Sequence, residues 1–292
     1  MEWERAKNYI LIFFVLLNIC LVFLLFLENR RYTMTREHER LIHRVLNQNN
    51  ITMYHLPMRR SPPMRPLEVR GFCYDIDSLL EILFEEPDNV LRESRDGMQE
   101  FRDGTVEMSI SNGFIFFRAE GGFGQYGQES FRALSLEPGD ISVEQARVLT
   151  DEFIQAHFPD FREDDHFRAA RGMRIVYRQV YRGSLVHSNF IEFLVTPAGI
   201  HEIEMQFGEI IRHAATPVML FAPDEALLTF VQRVSHITRE SPMHIASMDL
   251  VYFKEYVSDQ PNLYHAVPFY RIFVLDQNRP FLINAFTNVI ID

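Results

Sequence analysis

Residues 9–27, Tyr-Ile-Leu-Ile-Phe-Phe-Val-Leu-Leu-Asn-Ile-Cys-Leu-Val-Phe-Leu-Leu-Phe-Leu, constrain this chain more than any other stretch. As an α-helix they extend about 29 Å, enough to cross the hydrocarbon core of a bilayer. They carry no charge, and Asn18 alone interrupts them. A helix apolar on every face is not a surface helix of a globular domain. A cleaved signal peptide calls for a shorter apolar region followed by small residues, whereas Glu28-Asn29-Arg30-Arg31-Tyr32 offers none. The expectation is therefore one retained transmembrane helix at 9–27 behind a short tail, residues 1–8, with the rest of the chain on the other side. Orientation stays open on charge alone. Arg5 and Lys7 precede the stretch, but Arg30, Arg31, Arg36, Arg40 and Arg44 follow it, and long domains translocate despite flanking charge.

Charge divides the chain. Residues 1–66 hold ten Lys/Arg and five Asp/Glu, net +5, while residues 67–292 are net −16 within a formal total of −11. An acidic body excludes nucleic acid as partner, because phosphates demand a basic face. The arginines after the apolar stretch fit interfacial anchoring. Two cysteines, Cys20 in the apolar stretch and Cys73 in the body, make no disulfide framework.

Residues 33–49 read as a helix with Leu41, Ile42, Val45 and Leu46 on one side. The run Pro57-Met58-Arg59-Arg60-Ser61-Pro62-Pro63-Met64-Arg65-Pro66 is neither regular helix nor sheet, so 28–66 is taken as juxtamembrane helix and linker. Beyond it the pattern of a helix followed by antiparallel strands recurs three times, in modules expected at 67–137, 138–213 and 214–292.

In the first module Asp75 caps a helix ending before Pro87, and strands follow at 89–94, 97–101, 105–110 and 114–118. Their turns carry Asp-Gly and Asn-Gly, the strongest short hairpin signals. In the second, after Pro138-Gly139-Asp140, Ser142-Val143-Glu144-Gln145 is a capping box opening a helix through His157, before strands at 174–181, 187–196 and 200–207. Tyr177, Val180, Ile191 and Phe193 are read as the buried side. In the third, Pro223-Asp224-Glu225 opens a helix, and strands follow at 248–256, 268–275 and 281–290, with polar connections around Gln260-Pro261-Asn262 and over 276–280. The fold class is α+β, a body of antiparallel sheets each covered by a helix behind the transmembrane helix.

Met1-Glu2-Trp3-Glu4-Arg5-Ala6-Lys7, running straight into the apolar stretch, resembles the start of the YycI (WalI) family of Gram-positive bacteria, as do the helix that follows and its Asn49-Asn50-Ile51 ending. The segment 141–207 resembles a PepSY-type module of the kind found in YycH and YycI ectodomains. The resemblance implies a single-pass cell-membrane protein with its N-terminus in the cytoplasm and its body outside. It further implies a regulator that acts with a YycH-like membrane protein on a WalK-type sensor histidine kinase controlling cell-wall metabolism.

The residues offer little chemistry. There is no His-Glu-x-x-His, Gly-x-Ser-x-Gly or Gly-x-x-x-x-Gly-Lys pattern, and neither catalytic residues nor a cofactor or metal site are assigned. Gly121-Gly122-Phe123-Gly124-Gln125-Tyr126-Gly127 reads as a flexible loop, Glu85-Glu86-Pro87-Asp88 as a helix end, Glu163-Asp164-Asp165-His166 as a solvated polar loop, and Cys73 as a buried thiol. Asn18 is the candidate partner-binding residue within the apolar stretch. Its carboxamide bonds either a polar group on another membrane helix, a contact worth about 0.6–2 kcal/mol, or its own helix. Two other classes stand beside the regulator. One is an exported PepSY-like module that binds a ligand or inhibits a protease; the other is a hydrolase using His43, His187, His201 or His265 beside a carboxylate.

Overall fold

The computed structural model describes residues 2–31, 34–54, 61, 63–71, 74–95, 97–120, 141–214, 216–235, 242–255, 263–275, 277 and 279–291, and within the first helix the side chains of Lys7 and 11–24. In chain order the elements are α1 (Glu2–Arg31), α2 (Arg36–Gln48), β1 (Ile51–Met53), β2 (Leu67–Arg70) and α3 (Ile76–Leu83). There follow β3 (Leu91–Arg95), β4 (Met98–Asp103), β5 (Val106–Ser111), β6 (Phe114–Ala119) and α4 (Val143–His157). The next strands are β7 (Phe161–Ala169), β8 (Gly172–Tyr181), β9 (Ser184–Thr196), β10 (Gly199–Gln206) and β11 (Glu209–His213). The chain closes with α5 (Pro223–Ser235), β12 (Met243–Glu255), β13 (Leu263–Val274), β14 (Phe281–Asn284) and β15 (Ile290–Ile291). They group into two compact units. One comprises Met1–Arg65, Ala215–Leu250 and Pro268–Asp292; the other comprises Pro66–Ala214 and Val251–Val267.

The helix-covered antiparallel body expected from the sequence fits these elements, but the transmembrane helix over 9–27 is corrected. Among the described residues, no helix is long and apolar enough to cross a membrane. A span takes about 20 consecutive apolar residues in one helix.

In the first unit α2 begins where Thr35 Oγ1 accepts from the His38 amide at 3.2 Å. Its buried Ile42 and Leu46 pack with Ala226, Leu227, Phe230 and Val234 of α5 against Ile245, Tyr270, Ile272 and Ile283 of the sheet. Each of the larger apolar side chains among them contributes about 1.5–3 kcal/mol on burial. β1 runs parallel to β12 with Ile51 opposite Met243, and β14 runs antiparallel to β13. The Tyr270 hydroxyl bonds Ser61 and donates to the Phe221 carbonyl at 2.6 Å, and burial pushes its pKa up to about 12. The single strand expected over 281–290 is two short ones. Asn284 Oδ1 accepts from the amides of Phe286 and Thr287 at 2.8 and 3.1 Å, turning the chain between them.

The second unit holds an antiparallel sheet in the order β3-β4-β5-β6-β10-β9-β8-β7. It is two four-strand meanders, each preceded by a helix and joined through their last strands. Asp75 caps α3, its side chain accepting from the Asp77 amide, and the full capping box of Ser142 and Gln145 opens α4. The β5–β6 turn has Asn112 at φ 49° and Gly113 at φ 79°, the two positive angles of the hairpin turn that suits strand twist. Leu79, Leu80 and Leu83 of α3 and Leu149, Phe153 and Ile154 of α4 cover one face of this sheet, on Met108, Phe117, Phe193 and Ile203. Beside it β2 pairs antiparallel with β11 and with the start of β13.

Strand β7 corrects the polar loop expected at 163–166. Its charges find partners on neighbouring elements, so polarity here does not exclude a strand. Among the described residues β3 and β7 each have one neighbouring strand. β7 carries a register shift between Glu163 and Asp165, whereas β3 pairs with β4 regularly along all five residues and is exposed throughout.

Two predictions follow from packing and charge. A Cβ on Gly172 would lie 2.0 Å from the Val195 carbonyl oxygen, a backbone atom that cannot swing away. Gly172→Ala is expected to cost about 1–3 kcal/mol, read as a lower urea midpoint with unchanged slope. In the first unit, burial and then Asp224 raise the pKa of Glu225, against a smaller opposing pull from His38. A raised folded-state pKa favours folding below the ordinary carboxylate value and works against it as pH rises through the folded value. Glu225→Gln is therefore expected to raise Tm at pH 7 and to leave it unchanged near about pH 3, measured by differential scanning fluorimetry.

Candidate functional site

Strand alternation divides the residues of the second unit's sheet between two faces. Ile175, Ile191, Phe193, Ile203, Met205 and Phe117 face the helices. The opposite phase puts Arg174, Glu192, Glu202, Glu204, Arg118 and Glu107 on the other face, on five strands. Register makes Glu192 and Glu204 direct cross-strand neighbours, and sets Glu202 against Arg118 and Arg118 against Glu107. Like charges directly opposite are destabilising, and Arg174 offsets them. Its Nη1 lies 2.6 Å from Glu192 and 3.2 Å from Glu204, and its Nη2 lies 3.2 Å from Glu202. Arg118 Nη2 reaches the other oxygen of Glu202 at 3.0 Å, so one carboxylate bridges two guanidiniums. Burial works to lower the pKa of Arg174, and the hydrogen bonds and charges of Glu192 and Glu204 carry it above the usual value.

Aromatic rings frame this grid. Arg118 sits 5.3 Å from the centroid of Phe116, and Phe114 lies 6.4 Å from Phe190. Next to it, pairing of β8 with β9 jumps from Arg178 opposite Phe190 to Gln179 opposite Val186, leaving residues 187–189 as a bulge. A cleft of about 300 Å³ opens at the bulge, lined by Arg178, His187, Ser188, Phe190, Phe253 and Lys254 among others. Glu192 and Ser188 share this cleft with His187, yet no nucleophile–base pair is formed. Ser188 Oγ is buried with no hydrogen-bond partner among the described residues, and the Glu192 carboxylate is held by Arg174.

The residues singled out from the sequence fall as follows. Asn18 donates from Nδ2 to the carbonyl of Phe14 at 2.8 Å, a bond within its own helix. The 163–166 cluster is split between partners. Glu163 takes a two-point bond from Arg147, 2.7 Å on each oxygen, and contacts His166 at 3.0 Å; Asp164 holds Arg178 Nε at 2.8 Å. Among the described residues no group of three or more His, Cys, Asp or Glu could hold a metal ion. Pro87–Asn89 form a single 3-10 turn after α3. His265 stands across from Glu68, whose carboxylate holds Arg212 at 2.7 Å; His43 lies on α2 and His201 on β10. Cys73, the glycine cluster at 121–127, Pro138-Gly139-Asp140, residues 57–60 of the linker and the loop at 260–262 lie outside the described residues.

The grid itself was not singled out from the sequence, although its signal is there. Each strand alternates apolar residues with charges, and the charged phase carries both signs.

No family model matches the chain, and no curated protein does. Several solved structures are similar to it. An uncharacterized protein from Eubacterium rectale ATCC 33656 superposes with a TM-score of 0.53 at 12% identity, over 80% of this chain and 87% of that one. The C-terminal domain of Bacillus megaterium YpeB gives 0.41 at 10% identity, over 76% and 96%. YycH from Bacillus subtilis gives 0.44 at 10% identity, over 78% of this chain and 56% of YycH. At 12% identity the first of these is a likeness of fold.

Arg174→Met is expected to leave Glu192, Glu202 and Glu204 facing one another without their shared cation. The loss should reach about 1–3 kcal/mol at pH 7. It is read as a lower urea midpoint with unchanged slope.

Proposed function

We propose that this chain is a non-enzymatic regulator whose folded body binds other proteins. Its partners are a YycH-like membrane protein and a WalK-type sensor histidine kinase, and its output is control over cell-wall metabolism genes. The observation that carries the reading is the charged and aromatic face of the second unit. Its described helices lie on the opposite side of the sheet. It presents arginines and phenylalanines, residue types enriched where proteins bind one another. It also presents four carboxylates, Glu107, Glu192, Glu202 and Glu204, against the two guanidiniums of Arg118 and Arg174. Such a face recognises a complementary pattern of charge more readily than it performs chemistry. The identity of the partners and the position of the body outside the cytoplasm rest on the sequence resemblance of residues 1–7 and of the segment that follows.

The test is recovery of partners by the tagged full chain after cross-linking in cells. Recovery of a sensor histidine kinase and a YycH-like protein is expected, reduced several-fold by Glu107→Arg. Glu107 is about half exposed, at 47%, and makes no direct contact with Arg174, so this reversal alters the face at its exposed margin, next to Arg118. Recovery of neither protein overturns the reading.

A further inference from the structure

Among the described residues β3 pairs with β4 alone, in unbroken register from Leu91 opposite Arg102 to Arg95 opposite Met98. Its five residues are all exposed. Two residues connect the strands, and Gly97 stands at φ 81°. In a two-residue hairpin the pair flanking the turn, here Arg95 and Met98, is a hydrogen-bonded one. Bonding alternates along an antiparallel ladder, so the backbone groups of Leu91, Glu93 and Arg95 turn to β4. Those of Arg92 and Ser94 turn to the open edge. Proline, a bulge and lysine are the usual guards of such an edge, and β3 has none of them. It carries charge of both signs instead.

Side chains alternate, so Arg92 and Ser94 lie on the helix side, where Arg92 Nη2 reaches Asp77 of α3 at 3.1 Å. Leu91, Glu93 and Arg95 lie on the other face. Glu93 stands directly opposite Glu100, whose carboxylate is held by Arg102 at 2.8 Å, and like charges so placed repel. Among the described residues the Glu93 carboxylate has no ion pair or hydrogen bond.

A second copy of this strand supplies a partner. Antiparallel pairing about a two-fold axis normal to the sheet sets each residue opposite one on the same face, so the axis passes through a single residue. With the axis at Glu93 two carboxylates face each other; at Arg92 or Arg95 two guanidiniums do. At Leu91 the 3-10 turn of Pro87–Asn89 in each copy falls against the strand of the other. With the axis at Ser94 the two Ser94 backbones, both at the open edge, bond each other. Glu93 of each copy then stands opposite the partner's Arg95. Arg95 need not be free for this, since Arg174 on the same sheet serves three carboxylates at once.

We propose that β3 is a self-association edge: two copies of the chain pair antiparallel through β3, with Ser94 on the two-fold axis. The contact is short, a few backbone hydrogen bonds and two charge pairs, which suits a transient dimer rather than an obligate one. It uses the sheet edge and not the charge grid, and it does not depend on the partners named above.

Cysteine scanning of the full chain, in a background of Cys20→Ser and Cys73→Ser, reads the register. Cα atoms of a hydrogen-bonded antiparallel pair are about 5.5 Å apart, a separation that a disulfide spans. Under oxidised glutathione Ser94→Cys is expected to give a disulfide-linked dimer. Arg92→Cys, Glu93→Cys and Arg95→Cys should each give about fivefold less of it, because their pairs lie off the axis. Adding Glu93→Arg to Ser94→Cys sets arginine against arginine at both charge pairs and should lower the yield about threefold. Since that change also removes the like charge opposite Glu100, a lost dimer is not a lost fold. Adding Arg95→Glu as well reverses both signs and should restore the dimer. The proposal is overturned by no dimer from Ser94→Cys, by equal yield at all four positions, or by a maximum at another position. A yield that Glu93→Arg leaves unchanged, or that Arg95→Glu fails to restore, overturns it equally.

Discussion

One strand pairing organises the larger unit, the antiparallel contact of β6 with β10. It sets Ile203 against Phe117 on the helix side and Glu202 against Arg118 on the other. Because side chains alternate with period two, a slip of one residue would bury the glutamates and expose the core. The β8–β9 and β9–β10 pairings next to it let Arg174 on β8 reach three carboxylates. Hydrophobic and electrostatic preferences thus select one alignment, and the two meanders follow from it. Their helices share a core in which Phe153 packs edge to face on Phe193 at 5.4 Å.

What was legible in the sequence was local. The caps at Asp75 and at Ser142 with Gln145, the proline opening α5 and the Asn112-Gly113 turn each act within a few residues, and each element they announce is present. What was not legible depends on distance. Arg118 and Glu202 are 84 positions apart, and nothing near either one announces the other. The β9 bulge contains no glycine or proline to mark it; it is held by Gln179, Gly208 and Tyr264, which come from three separate stretches. β7 was mistaken for a loop because Glu163 and Asp164 are both charged, yet one turns to Arg147 of α4 and the other to Arg178 of β8. Polarity alone does not separate a solvated loop from a strand whose charges are paired across to neighbouring elements.

The apolar stretch at 9–27 is the most conspicuous feature of the sequence and points to α1 and Asn18. Asn18 donates to the Phe14 carbonyl within its own helix, and the charge grid on which the proposed function rests lies in the second unit. The grid is multiply paired, with Glu202 bridging Arg174 and Arg118 across three strands.

Among the described residues the strand order leaves the second unit's sheet with two unlike ends, β3 and β7. A bulge distorts β7, so its backbone offers a poor template to another strand. β3 has no bulge, and Arg92, Glu93 and Arg95 line its exposed length. At that end charged and hydrated side chains, rather than shape, oppose the addition of a strand that does not match them. The charge contribution weakens with ionic strength, whereas the distortion of β7 is backbone geometry, which salt does not change.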